Sequence, residues 1–190
     1  MYVYKKRSLI FIFSIIDLIG TILAWPFKAF GRKKRDVFAR IAVIRIDHVG
    51  DVIMSTCVLG PLRKTHPASA IDMVVPSWAY DIVKSSPDIT KAMLFDPVWF
   101  DRKVRARFFA QARGVFALAR LLKAGRYDAV VDLRGDFRHI LAMWLSGAKR
   151  RISCGVTGGA FLLTDVVPYS AHAHQTERNL SLLGPLGVPA

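Results

Sequence analysis

The stretch RIDHVGDVIMST, residues 45 to 56, gathers two carboxylates, Asp47 and Asp51, and an imidazole, His48, around one glycine, Gly50. It comes after an apolar run, at the place where a βαβ unit turns from strand into helix. A carboxylate fixed there can take a proton from a substrate hydroxyl, which turns that hydroxyl into a nucleophile. It can equally cap the free amides of a helix start, stabilised by the positive end of the helix dipole. The residue types leave both readings of Asp51 open, and Asp47 and His48 can be no more than turn-forming groups. Gly50 is read as the residue that lets the chain turn tightly into the helix.

Phosphate chemistry of the dinucleotide kind is excluded at this loop. A G-x-G-x-x-G fingerprint brings backbone amides close to a pyrophosphate. Here there is one glycine, and Asp51 would set a negative charge where the phosphate belongs. A second cluster, DLRGDFRH, places Asp132, Arg134, Asp136, Arg138 and His139 within eight residues. Arginine binds phosphate bidentately, and mixed acids and arginines suit a polyhydroxylated, phosphorylated ligand; the same residues can also pair among themselves on a surface loop, to little energetic effect. Residues 102 to 126 carry Arg102, Lys103, Arg105, Arg107, Arg113, Arg120, Lys123 and Arg126, interleaved with Phe108, Phe109 and Phe116. This basic amphipathic pattern fits an anionic lipid or a phosphorylated glycolipid, or simply a solvated helix face. No helix-turn-helix, RNP or zinc pattern accompanies it, so a nucleic-acid partner is not expected.

The elements that position these clusters are read from hydrophobic periodicity. IAVIRI (41–46), IDMVV (71–75), AMLF (92–95) and DAVVDL (128–133) read as strands, with RRISCG as a further short one. Residues 51–65, 77–86 and 104–124 read as the helices between them, FRHILAMWLSGA as the helix after the fourth strand, and 173–184 as a last helix. Alternating strands and helices predict an α/β, Rossmann-like, doubly wound parallel sheet covered on both faces. Ligands of such sheets bind beyond the carboxyl ends of the strands, where DHVGD and RGDFRH lie.

The charge is lopsided. The chain holds 28 Lys and Arg against 14 Asp and Glu, with Glu177 its only glutamate. Residues 1–40 hold nine of the basic residues and two acids, half of the +14 excess in a fifth of the chain. Within them SLIFIFSIIDLIGTILAWPF (8–27) is apolar apart from Asp17 and flanked by Lys5, Lys6 and Arg7 before and by Lys28 and the RKKR run after. At about 1.5 Å per residue it is long enough to reach across a ~30 Å hydrocarbon layer. An ionised Asp17 at mid-membrane would cost about 2.5 to 3.5 kcal/mol on insertion scales, so the segment spans the bilayer or lies in its interface, the alternative being a buried core helix that is merely hydrophobic. The basic flanks fit an anionic membrane surface, and the heavier charge after the segment keeps the rest of the chain cytoplasmic. Two cysteines, Cys57 and Cys154, lack the count of a disulfide framework and are expected to be buried thiols. The organisation expected is a basic-flanked anchor and linker over 1–39 and one domain over 40–190.

Taken in order, three pieces of this domain resemble glycosyltransferase family 9, the ADP-heptose:lipopolysaccharide heptosyltransferases and their relatives. IAVIRIDHVGDVIMSTCVLGPLRKTHPASAIDMVV is similar to that family's opening strand, G-D loop, helix and second strand; RYDAVVDLRGDFRHILAMWLSGAKRRI to its later strand, loop and helix; and HAHQTERNLSLLGPLGV to its H-x-x-E-R-N helix. The resemblance covers about residues 40–188 and implies the amino-terminal, acceptor-side half of a GT-B fold. It implies an inverting, metal-independent bacterial enzyme of lipopolysaccharide biosynthesis. Such an enzyme moves a sugar, heptose above all, from a nucleotide donor to a lipid-linked saccharide at the cytoplasmic face of the inner membrane. The family's G-D aspartate falls on Asp51 as the catalytic base, with His48 and Gly50 beside it. Arg134, Asp136 and Arg138 become acceptor contacts, and His174 and Arg178 match the later motif. No cofactor is implied; the donor, ADP-heptose by resemblance, would be held mainly by a carboxy-terminal domain expected beyond residue 190. The competing expectation is a truncated, non-catalytic module that binds a glycolipid or a partner without transferring sugar.

Overall fold

A computed structural model describes Asp17, Gly20, Thr21 and residues 37–100 and 108–189. Six strands, β1 (Arg40–Ile44), β2 (Ala70–Val75), β3 (Lys91–Leu94), β4 (Ala129–Asp132), β5 (Arg150–Ser153) and β6 (Asp165–Val166), form one sheet in the order β3-β2-β1-β4-β5-β6, every pair parallel. This is the doubly wound order, with its reversal between β1 and β4. The helices are α1 (Val49–Ser55), α2 (Leu59–Thr65), α3 (Tyr80–Val83), α4 (Phe108–Gly125), α5 (Phe137–Leu145) and α6 (Gln175–Ser181).

Strand alternation divides the core in two. Ile41 and Val43 of β1 point to one face with Ile71, Met73 and Val131, under Val52, Leu59, Leu62 and Leu183. Ala42 and Ile44 point to the other with Val74 and Val130, under Leu118, Leu122, Ile140 and Met143 of α4 and α5. The period of two along each strand thus serves both faces, which is why the strands read as unbroken apolar runs.

The helix expected over 51–65 is interrupted. A 3-10 turn at Thr56–Val58 separates α1 from α2. Pro61 has no N–H for the carbonyl of Cys57, while the Ser55 and Thr56 hydroxyls donate to the carbonyls of Val52 and Ile53 at 2.7 and 2.8 Å, competing with the helical ladder. Gly50 does not make the turn into α1. It lies inside the first helical turn, with nothing within 4 Å of where a Cβ would sit; the turn is made by His48, extended at φ −65° and ψ 158°. The two-residue β6 carries too little pattern to be read from sequence. It is held at the sheet edge by Arg150, whose Nε and Nη2 donate to Asp165 at 3.0 and 2.6 Å. Cys57 and Cys154 are free and half-buried rather than buried.

Among the described residues no helix is long and apolar enough to cross a membrane. The proposed anchor at 8–27 and the basic residues 102–107 fall outside them, save three positions. Asp17, Gly20 and Thr21 are helical, and Asp17 Oδ1 accepts a hydrogen bond from the Gly159 amide at 2.8 Å. The one carboxylate of the apolar segment is therefore satisfied against the domain.

The two sides of α4 differ in what they contribute to stability. Leu118 is fully buried, and Phe116 is 58% exposed. Leu118→Ala should destabilise the chain by about 2 to 5 kcal/mol, and Phe116→Ala by no more than about 0.5 kcal/mol. Urea unfolding measures both; equal losses would contradict the assignment of faces.

Candidate functional site at the sheet switch point

The loops after β1 and β4 meet at the point where strand order reverses, and Arg45 joins them. It comes directly after β1, is 3% exposed, and its Nη1 donates to the Leu133 carbonyl at 2.7 Å. Its Nη2 lies 3.0 Å from Asp51 Oδ1 and 3.4 Å from Asp47 Oδ2. One buried guanidinium therefore holds both acids of the first loop and the backbone of the second. Asp51 does not cap α1; its carboxylate turns to Arg45, its side chain stays 31% exposed, and among the described residues its Oδ2 meets no hydrogen-bond donor.

Asp47 is nearly buried and receives Arg134 Nη1 at 2.8 Å and the His48 amide at 3.0 Å. Arg134 Nη1 also donates to the Ile46 carbonyl at 3.1 Å, and its guanidinium lies over Phe100. The second loop is set from beneath by Asp132. Fully buried, it accepts from the amides of Arg134 and Gly135 at 3.3 and 2.8 Å and from Ser153 Oγ at 3.0 Å, and lies 2.9 Å from His139 Nδ1. Gly135 sits at φ +75°, where a Cβ would come within 2.6 Å of Cys154 Sγ. This is the glycine the site requires, for conformation and for space.

Asp136 is the N-cap of α5. It accepts from the Arg138 amide at 2.9 Å and from Arg138 Nε and Nη2 at 2.8 and 2.5 Å. Burial works against its ionisation, yet the Arg138 hydrogen bonds and the neighbouring positive charges outweigh it and hold the carboxyl well below the usual carboxylate range. Arg138 spends its fork on Asp136, stacks on Trp99 at 4.7 Å, and reaches Gln111 Oε1 at 3.3 Å.

A cleft of about 160 Å³ brings Arg45 and Arg134 together with Tyr169, Gln175 and Arg178, and Leu133 and Cys154 also line it. Burial pushes the Cys154 thiol up, away from reactivity. Arg178 stacks on Tyr169, bonds its hydroxyl, and donates to Gln175 Oε1 at 2.8 Å.

Of the residues singled out from sequence, Arg134 and Arg178 line this cleft, and Asp51 is joined to it through Arg45. Gly50 leaves open space beside Asp51. His48 lies edge-on to Phe100, with ring centroids 5.3 Å apart. His174 and Glu177 form a capping box at the start of α6, with the Glu177 carboxylate accepting from the His174 amide at 3.2 Å. Asp136 and Arg138 occupy each other. Sequence reasoning passed over Arg45, Asp132 as an organiser, Tyr169 and Gln175. Arg45 had a readable signal, a lone cation ending a fully apolar strand run.

A parallel α/β sheet with its strand order reversed between β1 and β4 defines the class: a Rossmann-like unit. No family model matches the chain. It is 27% identical over 146 residues to lipopolysaccharide heptosyltransferase 3 of Escherichia coli strain K12, covering 73% of this chain and 40% of that protein. Its fold superposes on a glycosyl transferase family 9 structure from Veillonella parvula with a TM-score of 0.67 at 23% identity, over 80% of this chain and 42% of that one. It superposes on E. coli heptosyltransferase WaaC bound to ADP-2-deoxy-2-fluoro heptose with a TM-score of 0.62 at 19% identity, over 79% and 49%. The chain spans about 40% of the length of the curated relatives it matches. Sequence and fold thus agree on the resemblance to glycosyltransferase family 9 that the motifs carry.

Two measurements test the site. Asp136 carries a depressed folded-state pKa, so its stabilising contribution is present above the ordinary carboxylate range and is lost as pH falls through the folded value. The stability gap between the chain and Asp136→Asn should stay level from pH 7 to about pH 5 and shrink as pH falls from about 5 towards 2; a gap constant over that lower range contradicts the assignment. Arg45→Met leaves Asp47 with Arg134 as its one cation among the described residues and takes the guanidinium donor from the Leu133 carbonyl, and should lower unfolding free energy by about 1 to 3 kcal/mol; a loss under about 0.5 kcal/mol would show that Arg45 does not hold the loops.

Proposed function

We propose that residues 40–190 form the acceptor-side half of a GT-B glycosyltransferase of lipopolysaccharide biosynthesis, with Asp51 as the catalytic base. The observation that carries this reading is the state of Asp51. It is anchored through Oδ1 by a buried arginine, its side chain stays partly exposed with no donor on the other oxygen among the described residues, and the same arginine lines a cleft together with Arg134 and Arg178. Anchoring fixes the direction from which a hydroxyl must approach.

In this reading a lipid-linked saccharide occupies the cleft, its anionic groups facing Arg134 and Arg178. Asp51 takes the proton of one acceptor hydroxyl as that oxygen forms its bond to the anomeric carbon of the donor sugar. The bond from that carbon to the nucleotide diphosphate breaks, its electron pair leaves with the phosphate, and the anomeric centre inverts. No metal is required of the residues assembled here. The nucleotide sugar, ADP-heptose by analogy with the ligand of the WaaC structure, is brought by a second Rossmann-like unit. Residues 8–27 hold the domain at the cytoplasmic face of the bacterial inner membrane, where such acceptors are assembled.

Asp51→Asn should reduce sugar transfer to the acceptor by roughly 10²- to 10⁴-fold, with the donor KM unchanged. The assay is radiolabelled transfer from ADP-heptose by the native protein that carries these residues. A decrease below threefold would remove Asp51 from the role of base.

A further inference from the structure

Helix α4 exposes more aromatic surface than its packing requires. Phe109, Arg113, Phe116 and Arg120 succeed one another at i, i+4, i+7 and i+11, which sets all four on one face. All are exposed, Phe109 by 83%. The opposite face carries Val115, Leu118, Ala119 and Leu122 into the core. Alternation of large apolar rings with long cations is therefore a property of the outer face alone. The surrounding segment, 102–126, holds eight Lys and Arg and no acid.

The orientation of this face is fixed by topology. A helix crossing between parallel strands runs antiparallel to them, so the first turn of α4 lies at the carboxyl edge of the sheet, the edge that carries the cleft. The hydrogen bond from Arg138 Nη1 to Gln111 Oε1 ties that turn to the loop after β4. From Phe109 to Arg120 the stripe runs about 16 Å along the helix, away from the cleft edge.

We propose that this face of α4 rests on an anionic lipid surface, with Phe109 and Phe116 sunk at the boundary of headgroups and acyl chains and Arg113 and Arg120 on lipid phosphates. Charge complementarity selects this occupant. An acid-free face needs an anionic partner, and long cations set between apolar rings match a surface whose phosphates lie directly above hydrocarbon. The inference deepens the proposed function, since it fixes which side of the cleft meets the membrane that bears the acceptor. It stands on the helix face alone. Vesicle contact without sugar transfer would overturn the function and leave this surface in place.

Bulk vesicle binding would also report residues 8–27, so the test reads one position. The full chain is labelled with an environment-sensitive fluorophore at Phe116→Cys or, as the opposite-layer control, at exposed Lys64→Cys on α2. Wild-type chain supplies the background from Cys57 and Cys154. With vesicles of phosphatidylglycerol and phosphatidylethanolamine, the label at 116 should shift to the blue and be quenched by brominated acyl chains, while the label at 64 stays aqueous. Adding Arg113→Gln and Arg120→Gln should reduce the shift at 116 on these vesicles and not on phosphatidylcholine. A label at 116 that stays as aqueous as the one at 64 overturns the proposal. A shift indifferent to the two arginines overturns its electrostatic half.

Discussion

Everything at the carboxyl edge of this sheet depends on a cation buried where β1 ends. Arg45 carries a guanidinium shielded from water, so its donors must be answered by acids and carbonyls within reach. Asp47, Asp51 and the Leu133 carbonyl answer it. Because these belong to two loops on either side of the topological switch, satisfying one guanidinium fixes the distance between the loops.

Asp132 plays the complementary part from within the sheet. It ends β4, as Arg45 stands just past the end of β1, and its carboxylate gathers two amides, a hydroxyl and an imidazole. The tight turn it supports, with Gly135 in a left-handed conformation, aims Arg134 back across the switch point onto Asp47. The acids of this region thus divide by burial. Asp132, Asp136 and Asp47 are internal and serve as fixtures, whereas Asp51 keeps one oxygen towards solvent. A catalytic base must be held and must be reachable, and among these four only Asp51 meets both conditions.

The sheet was legible because its strands are short apolar runs separated by helical periods, and the loops carrying chemistry could be placed from the rule for strand ends. The single long helix expected over 51–65 breaks at Thr56–Val58, one turn before Pro61, whose missing donor outweighs an apolar period that continues through it. Gly50 was given a conformational task that His48 performs, since extended backbone before a helix needs no glycine. His174 matches a family motif and also caps the start of α6, and Arg138 pairs with Asp136. Such internal pairing is invisible to residue type, because a free arginine and a committed one have the same letter. Arg178 and Tyr169 met Arg134 only through tertiary folding, across some forty residues of sequence that carry no shared period.

The proposed function requires one arrangement, in which an acceptor hydroxyl meets Asp51 while Arg134 and Arg178 of the neighbouring cleft hold the acceptor's anionic groups. A crystal structure of the chain with a lipid-linked saccharide acceptor bound tests this directly. The account predicts an acceptor hydroxyl at about 2.6 to 3.2 Å from Asp51 Oδ2, with Arg134 or Arg178 on the acceptor's anionic groups and the Arg45 pair intact. An acceptor seated away from Asp51, or a cleft that binds only after Arg45 has released it, would contradict the account.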